Sequence, residues 1–193
     1  MTASEKARKY TSDEFLAMTD LPERCELING VIYYFDEKGS ESMPVSPNTI
    51  HQRISRRTVG AIDSYIAANK KNCEVFNAPY DVKLDDGNIV QPDIMVVCDP
   101  TRIDEYRCNG APDWVIEILS PHNSDHDTVE KLSLYHKSGV REYWIVDPMN
   151  EKVLVYPFEE AKATGIFTFD DKITAGIYKD APEPLVICIK ELL

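Results

Sequence analysis

Apolar positions along this chain switch between a period of two and a period near 3.6, and the switch points outline its elements. Thr11-Ser12-Asp13-Glu14 precedes Phe15-Leu16-Ala17-Met18; Thr11 as N-cap with Glu14 three residues on forms a capping box and predicts a short helix. The runs Cys25-Glu26-Leu27-Ile28 and Val31-Ile32-Tyr33-Tyr34 flank Asn29-Gly30. Asn-Gly supplies the positive φ angles of a two-residue type I′ turn, so the segment reads as a hairpin. Over residues 48–69, Ile50, Ile54, Ala61, Ile62, Tyr65 and Ile66 recur at helical spacing, with Ser46-Pro47 marking a start. Strand-type runs follow at 73–76, 80–84, 89–97 and 114–119, with Asp85-Asp86-Gly87-Asn88 as the tight turn between the second and third. Residues 127–138 return to helical spacing, with Val129, Leu132, Leu134 and Tyr135 expected to face inward and Gly139 placed to end the helix. Strands at 142–146 and 152–156 are joined across Asp147-Pro148-Met149-Asn150, and residues 184–189 form a last strand or docking segment. Helix, strands, helix, strands predicts an α/β mixed sheet with one long helix on each side.

Two acids interrupt this pattern. Asp93 lies inside Ile89-Val90-Gln91-Pro92-Asp93-Ile94-Met95-Val96-Val97, and Glu117 inside Trp114-Val115-Ile116-Glu117-Ile118-Leu119. An ionised carboxylate in a buried strand costs several kcal/mol unless something compensates it. Backbone N–H groups or an arginine could satisfy Asp93, but a cap or turn role is not available to Glu117 in mid-strand. Two such costs on strands that can be neighbours point to one shared compensator. A hard divalent cation, Mg or Mn, is the simplest, because such ions are held by one or two carboxylates together with waters and substrate phosphates.

The same residues carry a resemblance. Pro92-Asp93 followed by Glu117-Ile118-Leu119 resembles the PD-(D/E)XK nuclease signature, and the surrounding phrases resemble the Uma-type restriction endonuclease family within that superfamily. Those phrases are Glu26-Leu27-Ile28-Asn29-Gly30-Val31, Val90-Gln91-Pro92-Asp93-Ile94, Gly110-Ala111-Pro112-Asp113, Glu117-Ile118-Leu119-Ser120-Pro121 and Gly139-Val140-Arg141-Glu142-Tyr143-Trp144. They occur in order from Glu26 to about Tyr156, most of the chain. The resemblance implies a restriction-endonuclease-like core, a metal held by Asp93, Glu117 and the Ile118 carbonyl, and cleavage of DNA. It also exposes a departure, since the signature expects a lysine two positions after the glutamate and this chain has Leu119. Some relatives supply that lysine from the next helix, and Lys131 is the matching residue here. Lys137 stands near the helix C-terminus, where the helix dipole already accounts for a lysine.

Glu26 occupies a position where the resembled family usually has an acid; it binds a second metal, orients Lys131, or simply faces solvent. His51 opens the long helix and could contact a phosphate, orient a water, or serve as a cap. Asp81 is a further acid of the same kind, and Gln91 could hydrogen-bond a metal-bound water or face solvent. His122-Asn123-Ser124-Asp125-His126-Asp127 presents two histidines at i and i+4, yet Pro121 and Asn123-Ser124 make it a solvated loop entering a helix rather than a zinc site.

Composition bounds the rest. One domain, 1–193, is expected, with 43% hydrophobic and 28% charged residues and no apolar run long enough to span a bilayer. Without the apolar stretch of a signal peptide after Met1, a cytoplasmic protein with no membrane association is expected. Five scattered cysteines without a Cys-x-x-Cys pair argue against a disulfide framework; Cys25, Cys73, Cys98 and Cys188 read as small core residues. The net charge of −12 opposes nucleic-acid binding, but Arg53, Arg56, Arg57, Lys70 and Lys71 share a segment whose only acid is Asp63. Arg53, Arg56 and Arg57, with His51, are the candidate DNA contacts. No Gly-x-Gly-x-x-Gly, Walker-type loop or Gly-x-Ser-x-Gly elbow is present. The leading expectation is a Mg- or Mn-dependent endonuclease hydrolysing DNA, with Asp93, Glu117, Lys131 and Glu26 at its centre; a homodimer would supply the two sites that cutting a duplex needs. The rivals are an inactive nuclease-fold protein that binds nucleic acid or a protein partner, and a hydrolase of some smaller phosphodiester.

Overall fold

A computed structural model describes residues 8–22, 24–34, 48–120, 125–159 and 164–193, with 125–128 described by backbone alone. Helix α1 (Ser12–Leu16) carries the expected capping box: Glu14 N donates to Thr11 Oγ1 (3.1 Å) and Thr11 N donates to Glu14 Oε2 (2.9 Å). Strands β1 (Cys25–Ile28) and β2 (Val31–Tyr34) form the hairpin, turned at Asn29 (φ 51°) and Gly30 (φ 79°). Helix α2 (Thr49–Ala68) is capped by Asn48, whose side chain accepts His51 N; Ser46-Pro47 lies outside the described residues. Then come β3 (Glu74–Asn77), β4 (Asp81–Asp85), β5 (Asn88–Val90), β6 (Ile94–Val97), β7 (Arg107–Asn109) and β8 (Trp114–Ile118). Helix α3 (Asp125–Ser138) crosses over to β9 (Glu142–Asp147), which runs parallel to β8 as such a crossover requires. The chain finishes with β10 (Lys152–Pro157), β11 (Gly165–Thr168), β12 (Ile173–Thr174) and β13 (Val186–Ile187).

Two sheets result, ordered β2-β1-β5-β4-β7 and β11-β10-β9-β8-β6-β3, with β12 and β13 as a separate pair. The single strand expected at 89–97 is in fact two. β5 pairs with β1 and β4 in the first sheet, whereas β6 pairs with β3 and β8 in the second. Pro92 explains the break, because it has no N–H to give a ladder. Asp93 therefore sits at the corner where the chain passes from one sheet to the other, rather than in mid-strand.

Alternation along the strands separates the two main cores. Ile94, Val96, Trp114, Ile116, Ile118, Trp144 and Val146 pack with Ile54, Ile62 and Ile66 of α2. Within that core the Trp114 and Trp144 rings meet edge to face at 4.8 Å. Met95, Val97, Val115, Tyr143 and Ile145 pack instead with Leu134 and Tyr135 of α3 and with Ile28, Val82 and Val90 of the first sheet. On the far side of the first sheet, Cys25, Leu27 and Ile89 cover Phe15 of α1. Glu26 lies between Cys25 and Leu27 in β1, so it must point the other way, toward α3 and the second sheet.

Three expectations need correction. Val129 is 67% exposed, because α3 turns Lys131, Leu134 and Tyr135 inward and a residue two before Lys131 falls about 200° round the helix. Cys73 and Cys98 form a disulfide: they are the next cross-strand pair beyond Glu74 and Val97, a register their wide sequence spacing concealed. Cys25, Cys108 and Cys188 are buried thiols, as expected of core residues for Cys25 and Cys188. Finally β7, β11 and β12 fall where no strand was anticipated.

Two of the quoted phrases prove structural. Asp113 accepts Cys98 N (2.7 Å) and Arg141 Nη1 (3.1 Å), tying the end of β6 to the start of β9. Buried Glu142 accepts Trp144 Nε1 (2.6 Å) and Ile177 N (2.9 Å), which fastens the C-terminal segment to β9.

Candidate active site

The corner at Asp93, the middle of β8, the buried face of β1 and the inner face of α3 meet at one place. Asp93 Oδ2 accepts Ile118 N (2.8 Å) and faces His51 Nε2 (3.0 Å). Glu117 Oε1 accepts both Lys131 Nζ (3.1 Å) and Tyr135 OH (2.8 Å), while its Oε2 reaches Asp93 N at 3.4 Å. Glu26 Oε1 accepts Lys131 Nζ (2.9 Å) and Gln91 N (2.9 Å). Behind this group, Gln91 Nε2 donates to Asp81 Oδ1 (2.9 Å). The carboxylates are nearly enclosed: 12% of the Asp93 and Glu117 side chains and 2% of Glu26 remain exposed.

Local structure accounts for each placement. Lys131 and Tyr135 are four residues apart on α3, so both lie on one face and reach the same Glu117 oxygen. His51 is in the first turn of α2, where the Asn48 cap holds its backbone N–H (3.0 Å). Ile118 lies one step past Glu117, on the β6-facing edge of β8. Leu119 N donates to Val146 O of β9, and a residue's N–H and C=O leave a strand from the same edge. Ile118 N points at Asp93, so the Ile118 carbonyl leaves on that edge too. β6 has already ended there, which is why a carboxylate replaces a strand partner.

Charge is unbalanced. Burial pushes the Glu117 carboxyl up from its ordinary value, helped by Asp93 and Glu26 and opposed by Lys131 and Tyr135. Burial pulls Lys131 down, but the attraction of Glu117 and Glu26 outweighs it and the ammonium is held above its usual value. Burial and the neighbouring Glu117 raise the Tyr135 phenol well above its own. Both donors therefore keep their protons at neutral pH. A carboxylate can only accept, so the 3.0 Å contact to an ionised Asp93 needs the proton of His51 on Nε2. With all three carboxylates ionised and His51 neutral, one ammonium among them would leave the site two charges negative.

The structure thus brings Asp93, Glu117, Ile118, Lys131, Glu26 and His51 together, and links Asp81 and Gln91 to them from behind. His51 is turned toward Asp93 and is buried, rather than lying on the surface as a cap. Arg53 and Arg56 are exposed on α2, whereas Arg57 Nη1 donates to the Leu192 carbonyl and so fastens the C-terminal turn. Leu119 is part-buried against the α3-side core. His122, Asn123 and Ser124 lie outside the described residues, and the side chains of Asp125, His126 and Asp127 are not described. Tyr135 was read from the sequence only as an inward residue; its spacing from Lys131 was the signal that could have marked it.

The mixed sheet with its β8-α3-β9 crossover has the fold of a restriction-endonuclease-like core. Over residues 12–176 the chain matches the family model described as "Uma2: Putative restriction endonuclease", and it belongs to that family. It is similar in structure to a crystal structure described as "a putative nuclease belonging to DUF820" from Anabaena variabilis. The TM-score is 0.74 at 25% identity, over 94% of this chain and 96% of that one. It is also 26% identical over 151 residues to an uncharacterized protein of Synechocystis sp., covering 77% of this chain and 74% of the relative. Among the described residues, no helix is long and apolar enough to cross a membrane.

Proposed function

We propose that this protein is a Mg- or Mn-dependent endonuclease that hydrolyses DNA phosphodiester bonds at the Asp93–Glu117 site. The observation that carries the reading is how the carboxylate oxygens are used. Asp93 Oδ2 and Glu117 Oε1 each take two donors. Among the described residues, Asp93 Oδ1 takes none and Glu117 Oε2 takes only the long contact from Asp93 N. Two carboxylate oxygens and a carbonyl are hard donors and suit Mg or Mn better than a thiophilic metal. Asp93, Glu117 and the Ile118 carbonyl would hold the ion. When bound, such an ion lowers the pKa of a water and offsets charge on the scissile phosphate.

The chain's own residues do the rest. His51 and Ile118 N–H fix the rotation of Asp93, and Tyr135 with Lys131 fixes Glu117. Lys131 supplies the cation that Leu119 cannot, and Glu26 keeps it in place. Exposed Arg53 and Arg56 on α2 are suited to backbone phosphates. A homodimer would present two such sites to a duplex.

The test is turnover of plasmid and single-stranded DNA with Mn²⁺ or Mg²⁺, with and without a chelator. Asp93→Ala and Glu117→Ala should each abolish cutting while the protein stays folded by circular dichroism. Cleavage retained in folded Asp93→Ala would remove the mechanism; no cutting by the unaltered protein would favour a non-catalytic, binding role.

A further inference from the structure

Lys131 Nζ lies 2.9 Å from Glu26 Oε1 and 3.1 Å from Glu117 Oε1. Those two oxygens come from different sheets and converge on one point, and each is steadied by a further donor, Gln91 N for Glu26 and Tyr135 OH for Glu117. Carboxylates converging beside a first metal position form the kind of cage that takes a second ion in two-metal phosphodiester hydrolases. Resting on the metal site proposed above, we propose that the Lys131 ammonium permanently fills this second cation position, so that each chain takes one divalent ion, at Asp93 and Glu117, and not two.

Charge and enclosure agree with this. With the three carboxylates ionised, one divalent ion would bring them and Lys131 to neutrality, whereas a second would leave the site two charges positive. Lys131 is 13% exposed and Glu26 2%, so withdrawing the ammonium strands a buried carboxylate.

Calorimetric titration with Mn²⁺ alone tests the idea. The unaltered protein should bind one ion per chain, and Lys131→Ala should bind two. The double variant Lys131→Ala/Glu26→Ala should return to one. Two ions in the unaltered protein, or one in folded Lys131→Ala, would overturn the inference. Should Lys131→Ala fail to fold, Glu26→Ala alone decides: one ion bound with affinity changed less than about tenfold supports it, and loss of an ion overturns it. Two ions in the unaltered protein would leave the nuclease reading standing, while no Mn²⁺ binding at all would remove both.

Discussion

Tyr135 and Lys131 donate to one oxygen of Glu117, yet only the lysine changes the charge of the site. Tyr135→Phe separates the two contributions, since it keeps the ring that packs against Tyr143 at 5.0 Å and removes the hydroxyl alone. A hydrogen bond to a charged group contributes about 1.5–3 kcal/mol, so denaturant unfolding should show a loss of that order. Mn²⁺ should bind more weakly, because Glu117 Oε1 then has one restraint in place of two. If stability and affinity are both unchanged, the hydroxyl does not position the glutamate. Asp93 and Glu117 stood out in the sequence because charges inside apolar runs need an explanation. The destination of Glu26 did not: its burial depends on which face of β1 meets α3, and one strand read alone leaves both faces open. His51 was equally ambiguous, because a histidine in a first helical turn reads the same whether it meets solvent or Asp93.

The elements with strong local chemistry were legible: the α1 capping box, the Asn29-Gly30 turn and the end of α3 at Gly139. Gly139 has φ 92°, and a Cβ added there would meet nothing within 4 Å, so any penalty is conformational rather than steric crowding by neighbours. Gly139→Ala should therefore lower stability by about 1–2 kcal/mol in urea unfolding, with DNA cutting per folded molecule unchanged. An unchanged unfolding midpoint would mean the helix end relaxes to a right-handed cap. Less legible was the break at Gln91-Pro92-Asp93, although Pro92 marked it. An unbroken apolar run on both sides hid the fact that its halves pair with different partners. The Cys73–Cys98 link was hidden for a related reason, as register between β3 and β6 is a long-range property that no spacing in sequence encodes.

At the scale of the whole molecule, a net charge of −12 must be reconciled with the polyanionic substrate proposed above. Only local cation placement can do that, and α2 offers Arg53 and Arg56 to solvent while Arg57 is spent on the Leu192 carbonyl. Replacing Arg53 and Arg56 together with alanine should weaken DNA binding and flatten its dependence on salt. Each lost phosphate contact removes about 0.9 from the slope of log K against log salt, measured by anisotropy with a labelled duplex. An unaltered slope would put the DNA path elsewhere. The strand break has a thermodynamic consequence as well. Glu26 belongs to one sheet, Glu117 to the other, and Asp93 to the joint between them. The proposed ion, held by the joint and the second sheet and braced by Lys131 against the first, would bind only while the two sheets stay docked. At a hundred times its dissociation constant, an ion that binds only the closed form would add about 2.7 kcal/mol to it. Amide hydrogens of β5 and β6 should then exchange more slowly, and by similar factors, when Mn²⁺ is added. Slowing confined to β6 would show that the sheets part independently, and that the corner is a hinge rather than a clasp.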